Sequence, residues 1–326
     1  MKKIVKWSAI LIAVVLVCIV GAVTYISYFL PNIPVDETIV VESTPVRIER
    51  GKYLANHVNL CMDCHSTRDF SVLSGPPKAG TAGAGGERFD HSVGFPGVFY
   101  SRNITPYGLG SWSDGEIYRA ITSGISKDGS VIFPVMPWKA YSTMATEDVY
   151  SIIAYLRSLE PVKRENTASK ADFPLNIIMN TFPTPANPQP IPDKSDKLAY
   201  GKYITNAAGC VECHTKMDDK GNKIPGMDFA GGQGFKMPGN GMVYSANLTP
   251  ATTGLKGYSA ESFVAKFKMY ADSAYVPQAV NKKEFQTIMP WMMYAKMKDE
   301  DLSAIYTYLN SLEPIENEVV KFVAEI

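Results

Sequence analysis

The sequence predicts a mainly α-helical protein: an N-terminal transmembrane helix followed by two tandem small helical domains. Three observations carry this reading. The chain opens on a long uncharged apolar stretch, two later segments repeat the same motifs in the same order, and helix-period apolar patterns recur at matching places in both. A length of 326 residues accommodates two domains of ordinary size. With 46% hydrophobic residues and no three-residue glycine period, the 25 glycines and 22 prolines signify abundant loops rather than disorder or collagen. Lys plus Arg (32) equals Asp plus Glu (32), which leaves no basic excess to track phosphates and excludes a nucleic-acid partner.

The apolar stretch comes first. Lys2, Lys3 and Lys6 precede an uncharged run from Trp7 to Val35 whose apolar heart, Ser8 to Leu30, is long enough to cross a hydrocarbon core as a helix before Pro31 ends it. Val20-Gly21-Ala22 would serve as a signal-peptidase site, but the length of the apolar run favours an uncleaved anchor, residues 1–35, in contact with membrane lipid. Val17 stands where a lipoprotein signal needs a small residue, so Cys18 reads as an apolar side chain of the span. The leading lysines keep the N-terminus cytoplasmic, which predicts a single pass of the cytoplasmic (inner) membrane with everything after Pro31 in the periplasm. The exported part then holds 29 basic against 32 acidic residues, a net charge of −3.

The repeat is specific. Gly51-Lys52-Tyr53-Leu54 answers Gly201-Lys202-Tyr203-Ile204, and Cys61-Met62-Asp63-Cys64-His65 answers Cys210-Val211-Glu212-Cys213-His214. Gly85-Gly86 with Phe89 matches Gly231-Gly232 with Phe235, Asn103-Ile104-Thr105-Pro106 matches Asn247-Leu248-Thr249-Pro250, and Met136-Pro137-Trp138 matches Met289-Pro290-Trp291. Tyr155 to Pro161 closes the first unit as Tyr308 to Pro314 closes the second. The expected domains are 46–162 and 197–314, with a Pro-rich connector 163–196 that is stiff, extended, sets the distance between the domains and lies along them, and a C-terminal tail 315–326. In the closing helices Val149, Ile152, Ile153, Leu156 and Leu159 recur as Leu302, Ile305, Tyr306, Leu309 and Leu312, one core-facing stripe each. Acidic residues load their first turns, and Pro161 and Pro314 stop them. An earlier helix starts near Ser113, whose spacing to Glu116 fits a capping box; its counterpart runs through Phe263, Val264 and Phe267.

Cys-x-x-Cys-His is the attachment sequence of c-type haem. On one helical turn, two cysteines three apart present their sulfurs to two vinyl groups of one porphyrin, and the following His reaches the iron. Cys61, Cys64 and His65 would hold one haem c, and Cys210, Cys213 and His214 a second. A zinc site made from the two cysteine pairs would not need His in the same fifth position twice, and a thioredoxin-like dithiol needs a βαβ pattern that this sequence lacks. For the distal ligands, Met136 and Met289 occupy equivalent places 75 and 79 residues after the first cysteine, each followed by a rigidifying Pro and a Trp expected near the haem. Met292, Met293 and Met297 compete with Met289. His57, four residues before Cys61, belongs to the proximal side. His–Met ligation fills both axial positions, which suits electron transfer rather than substrate binding. Asn103, Thr105, Asn247 and Thr249 either bind haem propionates or fix their own loop. Arg88, Arg102 and Arg119 are candidate propionate partners.

Cys-x-x-Cys-His, then Asn-Ile/Leu-Thr-Pro, Met-Pro-aromatic and a Tyr-Leu-x-Ser-Leu-x-Pro helix resemble class I cytochrome c domains, here a dihaem pair. The chain from about residue 46 to 314, including Asp172-Phe173-Pro174-Leu175-Asn176, is similar to the cytochrome c subunits of membrane-associated bacterial alcohol, gluconate and aldehyde dehydrogenases. The resemblance implies an electron-transfer protein of a respiratory chain, not itself an enzyme. Its donor and acceptor would be redox proteins, such as a dehydrogenase subunit and quinone or a terminal oxidase. It also implies Cys61, Cys64, Cys210 and Cys213 as thioether sites, with His65, Met136, His214 and Met289 on iron. The dehydrogenase subunits typically carry three haem motifs, and this chain has two. The competing expectation is a dihaem enzyme of the peroxidase or thiosulfate-oxidising type, which needs an open or specially ligated iron.

Overall fold

In the computed structural model, which describes residues 2–219 and 221–325, one long helix leads into two helical units of the same design. The elements are α1 (Lys2–Phe29), α2 (Pro45–Tyr53), α3 (Cys61–Cys64), β1 (Arg88–Phe89), β2 (Gly97–Tyr100), α4 (Pro106–Leu109), α5 (Asp114–Ser123), α6 (Trp138–Tyr141) and α7 (Thr146–Ser158). There follow β3 (Lys170–Ala171), α8 (Leu175–Ile178), α9 (Lys197–Ala207), α10 (Cys210–Cys213), β4 (Gly234–Met237), β5 (Gly241–Tyr244), α11 (Ala260–Lys268), α12 (Trp291–Tyr294), α13 (Asp299–Asn310) and β6 (Phe322–Ala324).

α1 is long and apolar enough to cross a membrane, and none of its residues is buried by the rest of the chain. Its last turn is tied to the body by the Asn180 Nδ2–H, which donates to the Ile26 carbonyl (3.2 Å). The chain after it runs along α5, where the Val41 N–H donates to Asp114 (2.8 Å) and Arg119 to the Ile33 carbonyl (3.2 Å).

Each unit is built on a crossing of its first and last long helices, α2 with α7 and α9 with α13. Val149, Ile152, Ile153 and Leu156 of α7 are buried against Leu54 and Val58, and Leu302, Ile305 and Leu309 of α13 against Ile204. Leu159, Tyr306 and Leu312 of the expected stripe are only half-buried. Glycine permits the crossing. A Cβ on Gly51 would stand 1.8 Å from the Ser151 carbonyl oxygen, and one on Gly201 2.1 Å from that of Ala304. α5 starts at the expected capping box, with the Glu116 N–H donating to Ser113 Oγ (3.1 Å) and the Ser113 N–H to Glu116 Oε2 (2.8 Å). α11 starts at a Ser259–Ser262 box of the same form.

Two expectations change. Each unit also carries a three-stranded antiparallel sheet, β1-β2-β3 or β4-β5-β6. The third strand comes from outside the expected unit: Lys170–Ala171 of the connector pairs with β2, and Phe322–Ala324 of the tail with β5. The repeated design therefore runs past Pro161 and Pro314. The connector does lie along the first unit, its Asn187 and Gln189 N–H groups donating to the Ser142 and Thr143 carbonyls (2.9 and 3.1 Å). The two units also touch each other directly.

That contact is reciprocal. Tyr53 of the first unit donates its hydroxyl to Asp301 of the second (2.6 Å), and Tyr203 of the second donates to Asp148 of the first (2.6 Å). The same phenol oxygens accept the Lys298 and Ala145 N–H groups (3.0 and 3.2 Å), which start the two closing helices. Repeat-equivalent residues exchange across the interface, as in an isologous dimer. Burial, then the carboxylate bond, pushes the Tyr53 hydroxyl far above its ordinary range, and burial together with Asp148 does the same to Tyr203. Because the folded protein holds these protons more tightly than the unfolded chain, their contribution is complete below about pH 10 and is lost as pH rises beyond it. Melting curves should therefore show a fall in stability above about pH 10 that is reduced in the Tyr53→Phe/Tyr203→Phe double variant; an equal fall in both proteins would contradict this.

Candidate functional site

α3 and α10 are single helical turns, each following a residue in the left-handed region, Leu60 (φ 55°) and Gly209 (φ 66°). This reversal starts the turn at the first cysteine and places the second cysteine one turn on, with the histidine closing it. The His65 N–H donates to the Cys61 carbonyl (2.8 Å), and the His214 N–H to that of Cys210 (2.9 Å).

Both imidazoles are held alike. His65 Nδ1 lies 2.7 Å from the Arg102 carbonyl oxygen, and His214 Nδ1 lies 2.7 Å from that of Ala246. A carbonyl only accepts, so Nδ1 carries the proton in each ring and Nε2 keeps the lone pair that iron requires. Burial lowers the proton affinity of both rings below the ordinary histidine range, which keeps them neutral. The repeated Gly-Gly motif explains how the carbonyls reach the rings. The Gly85 N–H donates to the His65 carbonyl (2.8 Å), and a Cβ on Gly85 (φ 71°) would stand 2.5 Å from the Arg102 carbonyl carbon. Gly231 (φ 73°) repeats both relations with His214 and Ala246.

Met136 and Met289 each precede a short helix, α6 or α12, whose final tyrosine ties the Met-Pro-Trp arm to the approach to the cysteines. The Tyr141 hydroxyl donates to the Asn59 carbonyl (2.7 Å), two residues before Cys61, and the Tyr294 hydroxyl to the Ala208 carbonyl (2.5 Å), two before Cys210. Sequence reasoning missed these tyrosines, although each stands five residues after its methionine in both units. Among the competitors of Met289, Met297 is fully buried and is the repeat partner of Met144, whose sulfur accepts from Asn59 Nδ2 (3.0 Å); the pair packs the core. Met136 and Met289 are half-buried.

The tryptophans differ. Trp138 is fully enclosed, with Nε1 donating to the Ile132 carbonyl (3.0 Å), whereas Trp291 is half-buried and stacks on Tyr270 (ring centroids 5.0 Å apart). Asn103 serves its loop: Oδ1 accepts from Thr105 N–H and Oγ1 (3.0 and 2.7 Å), and Nδ2 donates to the Val162 and Arg164 carbonyls (2.8 and 3.1 Å). Asn247 does the same with Thr249, Thr253 and Ile315. The three candidate arginines also have protein partners: Arg88 pairs with Asp90 (2.7 Å), Arg102 lies 3.9 Å from Asp128, and Arg119 donates to backbone carbonyls. His57 lies edge-on to Tyr53, and His91 pairs with Asp172 of the connector (2.6 Å).

The donor set fits haem c in both units: two cysteines on one turn, then a neutral imidazole with its outer nitrogen fixed to a carbonyl. Among the described residues, no three Cys, His, Asp or Glu side chains converge as a four-donor zinc site would need.

The family model for cytochrome c matches residues 198–313, so the second unit carries a cytochrome c domain. The chain as a whole is similar to cytochrome c subunits of bacterial dehydrogenases. It is 28% identical over 288 residues to the cytochrome c subunit of alcohol dehydrogenase (quinone) of Gluconacetobacter polyoxogenes, covering 82% of this chain and 56% of that one. Against the gluconate 2-dehydrogenase cytochrome c subunit of Pantoea cypripedii the figures are 27% over 282 residues, 81% and 59%. A diheme cytochrome c-type protein of Cereibacter sphaeroides is 29% identical over 266 residues, with 78% and 83% covered. The chain spans about half the length of the alcohol dehydrogenase subunits it matches.

Proposed function

We propose that the chain is a membrane-anchored periplasmic dihaem c-type cytochrome that passes single electrons between redox partner proteins, as the electron-transfer subunit of a dehydrogenase or respiratory complex. Residues 46–162 and 197–314 are its two tandem class I cytochrome c domains, each completed by a strand from the segment that follows, and α1 is an uncleaved anchor. Cys61 and Cys64 tether one haem with His65 and Met136 on its iron; Cys210 and Cys213 tether the other with His214 and Met289. The observation that carries this reading is the duplication of the His65–Arg102 and His214–Ala246 contacts at 2.7 Å, since a duplicated ligand support implies two working sites. With a histidine and a methionine from the protein holding it, the iron would change oxidation state without a bond change. The similarity to cytochrome c subunits of alcohol, gluconate and fructose dehydrogenases supports a dehydrogenase partner. The body's net charge of −3, made more negative by the haem propionates, favours partners with a basic face.

Replacing each methionine tests the ligand assignment. The oxidised protein should show the near-infrared sulfur-to-iron band, and Met136→His and Met289→His should each remove one share of it. A high-spin haem in the resting protein would favour the catalytic reading.

A further inference from the structure

The loop that carries Met289 is not held by its own unit alone. Met289 N–H donates to Thr287 Oγ1 (3.0 Å), but its carbonyl accepts the hydroxyl of Ser74, which lies in the loop following the first haem motif. The Trp291 N–H is shared between the Met289 carbonyl (2.8 Å) and Ser74 Oγ (3.1 Å), so one side chain of the first unit touches both sides of Pro290. This touch is embedded in a larger contact. Gln286, fully buried, accepts the Ser74 N–H on Oε1 (2.8 Å) and donates Nε2 to the Phe70 and Val72 carbonyls (3.0 and 2.9 Å). Leu73 N–H donates to the Gln278 carbonyl and Val280 N–H to that of Ser71, both at 2.8 Å.

The opposite end of this loop is fixed to the first haem motif. Arg68 donates to the Ser74 and Gly75 carbonyls (both 2.8 Å) and lies 3.3 Å from Asp63, the residue between Met62 and Cys64. Its guanidinium also sits over the Phe70 ring, 4.6 Å from the centroid. Ser74 is buried with φ 70°, a left-handed conformation that a non-glycine residue keeps only where its surroundings impose it. Met136 has no such support. Among the described residues, its backbone bonds only within its own unit, N–H to the Phe133 carbonyl (3.2 Å) and carbonyl from the Trp138 N–H (2.8 Å).

We propose that Ser74 is a positioning residue for the Met289 thioether, so that the first unit's attachment loop, through the Ser74 hydroxyl, tunes the reduction potential of the second haem. The inference rests on Met289 being the distal ligand. A thioether held less firmly binds ferrous iron less well, because the softer oxidation state gains most from sulfur, so loosening the loop lowers the potential.

The test uses the full-length holoprotein in detergent and follows each haem by redox titration and by the near-infrared band. Ser74→Ala removes the hydroxyl. Ser74→Gly also removes it and tolerates φ 70° better, which guards against a failure to fold. Either variant should lower the potential of the second haem, changing the ratio of reduced second to reduced first haem at a fixed potential by about fivefold, the equivalent of one hydrogen bond. It should also shift the band share that Met289→His removes, and the first haem should keep its potential. Unchanged potentials in both variants, with both band shares intact, would overturn the proposal and leave Met289 as the ligand. If Met289→His leaves the band untouched, the underlying assignment fails instead.

Discussion

Gly201→Ala should destabilise the second unit by about 3 kcal/mol or more, although alanine is the better helix former. Propensity alone would stabilise α9 by about 1 kcal/mol. Packing opposes it with a larger magnitude, because the new Cβ would lie 2.1 Å from the Ala304 carbonyl oxygen, 2.8 Å from its carbon and 3.1 Å from Tyr308 Cβ. Two of these atoms are helix backbone and cannot rotate away, so α9 and α13 must separate, and Ile204, Leu302 and Ile305 lose contact together. For a unit of this size such a loss lowers the melting temperature by roughly 10 °C or more. Gly257→Ala is the matched control, since nothing lies within 4 Å of its added methyl group. Calorimetry of the two variants checks this, and equal melting temperatures would refute the close crossing.

Asn247→Ala should cost a similar amount for a different reason. The carboxamide lies in a buried turn and accepts the Thr249 N–H and Oγ1 (2.9 and 2.8 Å) while donating to the Ile315 carbonyl (2.7 Å) and Thr253 Oγ1 (3.1 Å). Alanine removes every one of these bonds. It strands the Thr249 N–H away from water, at about 1–3 kcal/mol, while the Ile315 carbonyl keeps only the longer bond from the Thr249 hydroxyl (3.3 Å). Asn247→Asp retains the acceptor and loses the donors, so it should be intermediate unless burial of its charge adds further cost. Denaturant unfolding of the three proteins orders them. A neutral Asn247→Ala would return this residue to the alternative role of binding a propionate.

The parts of the molecule written in local patterns were readable without coordinates. The stripe of Val149, Ile152 and Ile153, the Ser113–Glu116 box, the cysteine turns and the Met-Pro-Trp arms each occupy a few consecutive residues, and the repeat reinforced all of them but the box. The strands were missed because they are two to four residues long and β3 and β6 pair with segments far along the chain, leaving no alternating pattern to read. The role of Asn103 stayed open in the sequence because its partners, Val162 and Arg164, stand about sixty residues away. The interface was hidden for a related reason. Tyr53 and Tyr203 appeared as matched positions, but repetition alone does not show that each binds the carboxylate of the other unit. Ser74 gave no signal at all, since it lies where the two units differ and its partners lie more than two hundred residues on.

The central claim is that each unit holds a haem between a carbonyl-fixed histidine and the methionine of its Met-Pro-Trp arm. The most direct test is the near-infrared sulfur-to-iron absorbance of the oxidised full-length protein, normalised to covalently bound haem and measured again in Met136→His and Met289→His. The account predicts two haems per chain, both contributing to the band, with each substitution removing one half and the double variant removing all of it. A single haem, or a band that survives both substitutions, would contradict it.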